Sequence, residues 1–352
     1  MTCRFSPDAT GKKYFADASG GAAVFSNPMQ SPLYKNCHLI TALSSLAWIN
    51  NKFFSVQGNP CLYTFYDFDP YTTLRGQDKG QYPPGKDLTK VPVEVPVSVN
   101  TNIFMDNATG IWCGATSKNP EYWPAMYEKA FGKFCMFKFP RNIIWNDLNN
   151  PAIDPDFSTL SRGSDWGGNP VTVLRYLTGR GLKPYTYTTN KSFNLSSDAV
   201  YKYIKSLCVT TPMGRPSDYG TVNGAKVQYP AGAWTYIDAN DAKTKANVTI
   251  AYDDSSMVGD HCYSILGIYE DGGSQYIVLR NPYGQVDADP AKYTSGKGPW
   301  IYFEKRYAIG GIVTADAAGK IVSFPFSSMD GIFALDVKVF TQYFEGLGHI
   351  ST

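Results

Sequence analysis

A thiol, an imidazole and a carboxamide are the side chains of this sequence with the most chemical promise. The chain holds seven cysteines and three histidines. Cys37 heads an apolar run in which Leu39, Ile40, Leu43, Leu46, Ala47 and Ile49 recur at spacings of three and four. That period predicts a helix with one buried face, running to about Asn50. Asn36, just before it, is of a type that caps helices by accepting from an early backbone N–H. A cysteine at a helix start gains thiolate character from the partial positive charge there. The first-turn N–H groups, without partners in the helix, point at any oxygen bound beside the sulfur. Cys37 is therefore a candidate nucleophile. The rival reading is a buried, inert thiol, since cysteine is among the most buried residue types.

A thiol nucleophile needs a base within hydrogen-bond reach, and the base needs a third group to hold its tautomer. The histidines are His38, His261 and His349. His38 follows the cysteine and is turned ~100° from it around a helix, so it reads as a wall residue. His261 opens an alternating run to Tyr269, and a second run spans Gln275 to Asn281. Glu270, Asp271, Gly272 and Gly273 lie between them and predict the turn of a hairpin. A turn centred at Asp271 sets His261 opposite Asn281 on one face, with Cβ atoms ~5 Å apart. A slip of one residue would put them on opposite faces.

The remaining elements must bring these groups into position. A chain of 352 residues, 43% apolar and 15% aromatic, can build two lobes with proper cores. A net charge of +2 without a basic block argues against nucleic acid or an anionic membrane as partner. No apolar run reaches the ~18 residues of a spanning helix, and the first 25 residues lack a signal-peptide core. The cysteines show no metal-ligand spacing, and their odd number fits a reducing compartment. A cytoplasmic monomer is expected, with secretion the alternative. Strands are predicted over 62–68 and 91–99, where Pro92 and Pro96 restrict the second to an edge or a bulge. A helix over 119–134 carries an apolar stripe of Trp123, Met126 or Tyr127, Ala130 and Phe134, read as core packing. A surface loop over 145–165 leads to a short helix ended by Gly179 and Gly181, and residue 180 marks the lobe boundary. Helix 197–207, strands near 300, 311 and 320, and a terminal run over 330–344 complete the second half. Residues 214–257 show no clear pattern.

The chain order Cys, His, Asn is that of papain-like proteases, and the residues around each resemble one branch, the calpain family. The run from Cys37 to Ala47 is similar to the calpain nucleophile helix. Ser117 to Lys133 is similar to the helix that closes calpain's first lobe. His261-Cys262-Tyr263-Ser264 resembles the calpain histidine motif, and Leu279-Arg280-Asn281-Pro282-Tyr283-Gly284 resembles its asparagine motif. The resemblance implies an α+β, papain-like two-lobed fold. Its helical lobe, 1–180, would carry Cys37, and its β-rich lobe, 181–352, would carry His261 and Asn281. It implies a cysteine endopeptidase acting on protein or peptide. Cys37 would be the nucleophile, His261 the base and acid, and Asn281 the orienting group. Gln30 and the Cys37 amide would form the oxyanion hole. Gln30 stands one residue further from the cysteine than in the family.

Other departures concern the walls of the site and the metal. His38 replaces a tryptophan, Tyr283 replaces the tryptophan that shields the Asn–His pair, and Asp260 stands where calpains have glycine. The acidic calcium ligands of the calpain core do not carry over: Asn27 falls where an aspartate is expected, and no glutamate follows Phe134 at the expected place. No metal or other cofactor is assigned. Two alternatives stay open, namely acyl transfer or deamidation on the same triad, and a retired protease core that only binds peptides.

Overall fold

A computed structural model describes residues 3–7, 25, 28–31, 35–54, 61–68, 92–106, 108, 111–112, 114–117, 121–138, 143–156, 169–180, 185–193, 196–209, 224–252, 257–271, 273–284, 300–302, 312–315, 321–324 and 331–351. Asn27 and residues 69–91, which connect the two predicted strands, lie outside them. The fold mixes helix and sheet, and the chain divides into two compact units, residues 1–185 and 186–352.

The first unit contains β1 (Cys3–Ser6), β2 (Pro28–Met29), α1 (Cys37–Ile49), β3 (Cys61–Asp67), β4 (Val93–Val99) and β5 (Ile103–Asp106). It continues through β6 (Ile111–Trp112), β7 (Thr116–Ser117), α2 (Trp123–Lys138), α3 (Trp145–Leu148) and α4 (Pro170–Thr178). Helix α1 begins at Cys37, but it is buried from Cys37 through Trp48 instead of on one face. Thr41, Ser44 and Ser45 take the places expected to be solvated, and they are small enough to fit between packed neighbours. The helix packs on α4 and α2. Asn169 caps α4 by accepting from the Thr172 N–H at 2.9 Å. Gly179 ends it at φ 67°, with its Cα pressed against the Tyr66 ring, where a Cβ would come within 2.6 Å. Pro96 lies in a two-stranded ladder opposite Thr64, so it removes no bond from a sheet interior.

Helix α2 begins later than the sequence suggests and runs to Lys138. All of its residues are buried, charged ones included. Buried charges persist only when partnered, and here each has partners. The Lys129 ammonium meets Asp154 at 2.6 Å, Asn100 Oδ1 at 2.6 Å and the Asn102 carbonyl at 3.0 Å. Lys133 donates to the carbonyls of Ser98 and Asn150 at 2.9 and 2.6 Å. Lys138 pairs with Asp67. The segment after α3, expected as a surface loop, is thereby tied down by two lysines. Burial lowers the Lys133 ammonium to about 8 and also lowers that of Lys129, against the pull of Asp154.

The second unit contains β8 (Tyr185–Thr189), α5 (Asn190–Phe193), α6 (Ser197–Ser206), β9 (Gly224–Lys226), β10 (Ala231–Thr235), α7 (Ala239–Ala246), β11 (Cys262–Asp271) and β12 (Ser274–Arg280). Then follow β13 (Trp300–Tyr302), β14 (Ile312–Ala315), β15 (Ile321–Phe324), β16 (Ile332–Asp336), α8 (Val337–Tyr343) and β17 (Phe344–Ile350). One sheet orders its main strands β13-β16-β12-β11-β10-β17-β8, with β9, β14 and β15 branching from β11. Helix α6 packs Val200, Tyr201 and Ile204 toward β11 and β12. The strands facing it are fully buried at Ile265, Leu266, Ile277, Val278 and Leu279. The unpatterned stretch 214–257 contains β9, β10 and α7 where described. Asp238 caps α7 by accepting from the Asp241 N–H, and Asn247 ends it at φ 56°.

Candidate active site

The second unit brings His261, Asn281 and Tyr283 together. His261 lies one residue before β11 and Asn281 one residue after β12. His261 Nε2 lies 3.0 Å from Asn281 Oδ1. The Tyr283 backbone N–H donates to that same oxygen at 3.0 Å. A backbone N–H can only donate, so the oxygen is an acceptor and the imidazole proton sits on Nε2. The lone pair of the neutral ring is then on Nδ1, the nitrogen a base would use. Both His261 and Asn281 are buried.

Aromatic rings close over this pair. Tyr283 stacks on the imidazole at 4.9 Å and 15° between planes. Tyr263 meets it edge-on at 5.0 Å. Tyr283 thus covers the imidazole with its own ring. The backbone is fixed as firmly. The Thr235 N–H donates to the His261 carbonyl at 2.9 Å, and the His261 N–H donates to Thr235 Oγ1 at 3.1 Å. That hydroxyl donates in turn to the Val258 carbonyl at 2.8 Å. Thr235 is a positioning residue that sequence reasoning missed. It lies at the end of β10 in the unpatterned stretch, and its only signal was an apolar run, Ala231 to Trp234, ending in a β-branched residue. Asp260 adopts φ 52°, a conformation natural to glycine and tolerated by aspartate. Asp260, expected to stand where calpains have glycine, thus occupies a backbone position that suits either residue.

The hairpin register differs from expectation. Asp271 pairs with Ser274, so the turn is centred beyond Asp271, and Gly273 takes φ 83°. Pairing runs on through Gly267 opposite Val278 and then shifts to Ile265 opposite Leu279, leaving Leu266 as an extra residue. The Leu266 carbonyl accepts from the Val227 N–H at 3.0 Å, which holds the bulge from the third strand. Beyond the ladder the Gly284 N–H bonds the Asn281 carbonyl at 3.0 Å, a tight turn that carries Tyr283 back toward the histidine.

The first unit holds Gln30, Cys37 and His38. Cys37 is the first residue of α1 and is buried, with 7% of its surface exposed. The Leu39 and Ile40 N–H groups both donate to the Asn36 carbonyl, at 3.0 and 3.1 Å. Asn36 makes no side-chain bond to the helix, contrary to expectation. Its Nδ2 donates instead to Glu128 Oε1 of α2. The Asn36 side chain is thus held by a buried carboxyl on a neighbouring helix and not by the first turn of its own. Glu128 Oε2 accepts from the Ala115 N–H at 2.5 Å. Burial pushes the Glu128 carboxyl up to about 8, against these two bonds, which favour the carboxylate. His38 is buried and meets the Phe131 ring edge-on at 6.4 Å. Gln30 is buried one residue beyond β2, whose partner strand is β7.

Other buried thiols show the inert alternative. Burial pushes the Cys208 thiol up to about 12 and the Cys135 thiol up further. Cys135 sits in the last turn of α2, whereas Cys37 opens its helix. Among the described residues no group of three or more His, Cys, Asp or Glu could hold a metal ion. No helix among them is long and apolar enough to cross a membrane.

Comparison with known proteins adds a name to this chemistry. The chain is similar to a thiol protease. That relative, from Porphyromonas gingivalis (strain ATCC BAA-308 / W83), is 22% identical over 318 residues, covering 85% of this chain and 50% of the relative. The chain thus spans about half the length of the curated relative it matches. No family model matches the chain. The likeness supports a cysteine protease in broad terms and carries nothing specific to calpains.

Proposed function

We propose that the chain is a calpain-like cysteine endopeptidase with a papain-like two-lobed fold, in which Cys37, His261 and Asn281 form the triad. The observation that carries this reading is the His261–Asn281 pair, with Nε2 3.0 Å from an oxygen whose orientation a backbone N–H fixes. That pairing leaves the lone pair on Nδ1, the nitrogen that a base would present. The thiol protease relative supports the same chemistry. In this reading the Cys37 thiolate attacks a peptide carbonyl, forming an S–C bond and placing negative charge on oxygen. Gln30 and the Cys37 N–H stabilise that oxygen, and each such donor contributes roughly 3 kcal/mol in a comparable hydrolase site. The His261 imidazolium gives its proton to the leaving amine. Water, deprotonated by the same ring, then hydrolyses the thioester.

In this reading the substrate is protein or peptide, the enzyme is a monomer, and no metal is assigned a role. The test is labelling of the full chain with an iodoacetamide or epoxide probe, followed by peptide digestion assays read by mass spectrometry. Wild type should label at Cys37 and shorten the peptide backbone, and Cys37→Ala should do neither. Equal labelling of the two proteins would remove the nucleophile. A mass gain of one deamidation with an intact backbone would replace hydrolysis of the peptide bond by side-chain chemistry.

A further inference from the structure

One fully buried carboxyl joins the two segments from which the proposed oxyanion donors come. Glu128 Oε1 takes the amide of Asn36, the residue before Cys37. Glu128 Oε2 takes the N–H of Ala115, the residue before β7. Strand β7 pairs with β2 through Thr116 opposite Met29 and Ser117 opposite Pro28. One further step of that register sets Ala115 across from Gln30. Glu128 therefore holds, from one rigid helix, the residue adjoining Cys37 and the residue facing Gln30.

We infer that Glu128 is a positioning residue that sets the spacing between the Cys37 amide and Gln30, and so shapes the oxyanion hole. This rests on the reading of Cys37 as nucleophile. The burial of Glu128 suits the role. A buried carboxyl bridging two donors cannot swing out to water without leaving both unpartnered, which makes it a stiff spacer. The sequence hid it in the middle of a helix whose apolar stripe drew attention elsewhere.

The replacement Glu128→Gln keeps the shape but turns one acceptor into a donor, setting it against either the Asn36 amide or the Ala115 N–H. Adding Asn36→Asp restores complementarity, because the carboxamide introduced by Glu128→Gln then donates to the carboxylate introduced by Asn36→Asp. Three measurements on the full chain test the inference: kcat and KM on a peptide substrate, affinity for a peptide aldehyde, and the rate of alkylation by iodoacetamide. The aldehyde forms an S–C bond and an oxyanion; iodoacetamide forms an S–C bond and no oxyanion. Glu128→Gln should lower kcat about 10- to 100-fold with KM within threefold, within the range for disturbing one oxyanion donor. Aldehyde affinity should fall by a similar factor, alkylation should stay within threefold, and the double variant should recover most of kcat. Should Glu128→Gln fail to fold, Asn36→Ala breaks the same link alone and should show the same split. Unchanged kcat in a folded variant, equal losses in alkylation and cleavage, or no recovery in the double variant would overturn the inference. Alkylation and cleavage that survive Cys37→Ala would instead overturn the function on which it rests.

Discussion

Replacing Asn281 by alanine tests the proposed site at its best-defined point. The substitution removes one oxygen that accepts from two donors, the His261 Nε2–H and the Tyr283 N–H, each at 3.0 Å. The site is buried, so water does not simply replace the lost acceptor. A hydrogen bond to a group that carries charge during the reaction contributes about 1.5–3 kcal/mol. At about 1.4 kcal/mol per decade, kcat/KM should fall roughly 10- to 150-fold. The orphaned Tyr283 N–H costs stability separately, about 1–3 kcal/mol, and loosens the ring that stacks on the imidazole. Two controls separate orientation from stability. Asn281→Asp keeps an acceptor and adds an anion, which favours the imidazolium and should move the alkaline limb of the pH–rate profile upward. Tyr283→Leu keeps the Asn281–His261 bond and removes the stacked ring. Kinetics at a temperature well below each variant's unfolding transition supply the measurement. A folded Asn281→Ala protein whose kcat/KM stays within threefold of wild type would refute the claim that Asn281 orients His261.

Three further outcomes follow from the same contacts. Gly346 lies opposite Trp234, and a Cβ there would overlap the indole; Gly346→Ala should cost about 1–3 kcal/mol by overpacking, read as a lowered urea midpoint, with reduced activity because Trp234 adjoins Thr235. Asp260 sits at φ 52° before the histidine, so Asp260→Gly should change stability by less than about 1 kcal/mol while Asp260→Val should cost about 1–3 kcal/mol. The folded-state value of Glu128, raised to about 8 by burial, means the folded protein binds a proton that the unfolded chain has released above 4.5. The contribution of Glu128 to stability should therefore fall as pH rises from about 4.5 to 8, by a few kcal/mol at most, opposed up to about 6.5 by His349, whose ring is lowered to about 4 by burial. Lys133, lowered to about 8, acts in the opposite sense. Stability regained from it appears as pH rises from 8 toward 10.5, so denaturation midpoints should pass through a minimum near pH 8 that Glu128→Gln flattens.

What the sequence made legible was local chemistry and period. The start of α1 at Cys37, the Gly179 stop of α4 and the hairpin of β11 and β12 all follow from patterns that short-range sterics and hydrogen bonding enforce. What it concealed depends on neighbours far away in the chain. Asn36 has the right chemistry for a cap, yet Glu128, distant in sequence, takes its amide. Thr41, Ser44 and Ser45 read as a polar face, yet α1 is covered on that side as well. Lys129, Lys133 and Lys138 read as the solvated side of α2, yet each is buried against partners supplied by strands and loops. Periodicity counts apolar residues and cannot see that a polar one has been given a partner.

The hairpin shows how an expectation about face can hold while its reasoning does not. Same-face placement of His261 and Asn281 was expected from a regular ladder centred at Asp271. The observed ladder is centred one and a half residues later, midway between Asp271 and Ser274. Continued regularly from Gly267 opposite Val278, it would set Asn281 across from Ser264, three residues from His261 and thus on the other face. The extra residue at Leu266 shifts the register so that Ser264 meets Arg280. Asn281 then falls across from Tyr263, two residues from His261 and on the same face. The bulge is what reconciles a tight turn with the His261–Asn281 bond. Val227, by donating to the Leu266 carbonyl, ties that correction to a third strand. The orienting geometry of the proposed base therefore originates several residues from it, in a distortion no alternation of apolar and polar residues could announce.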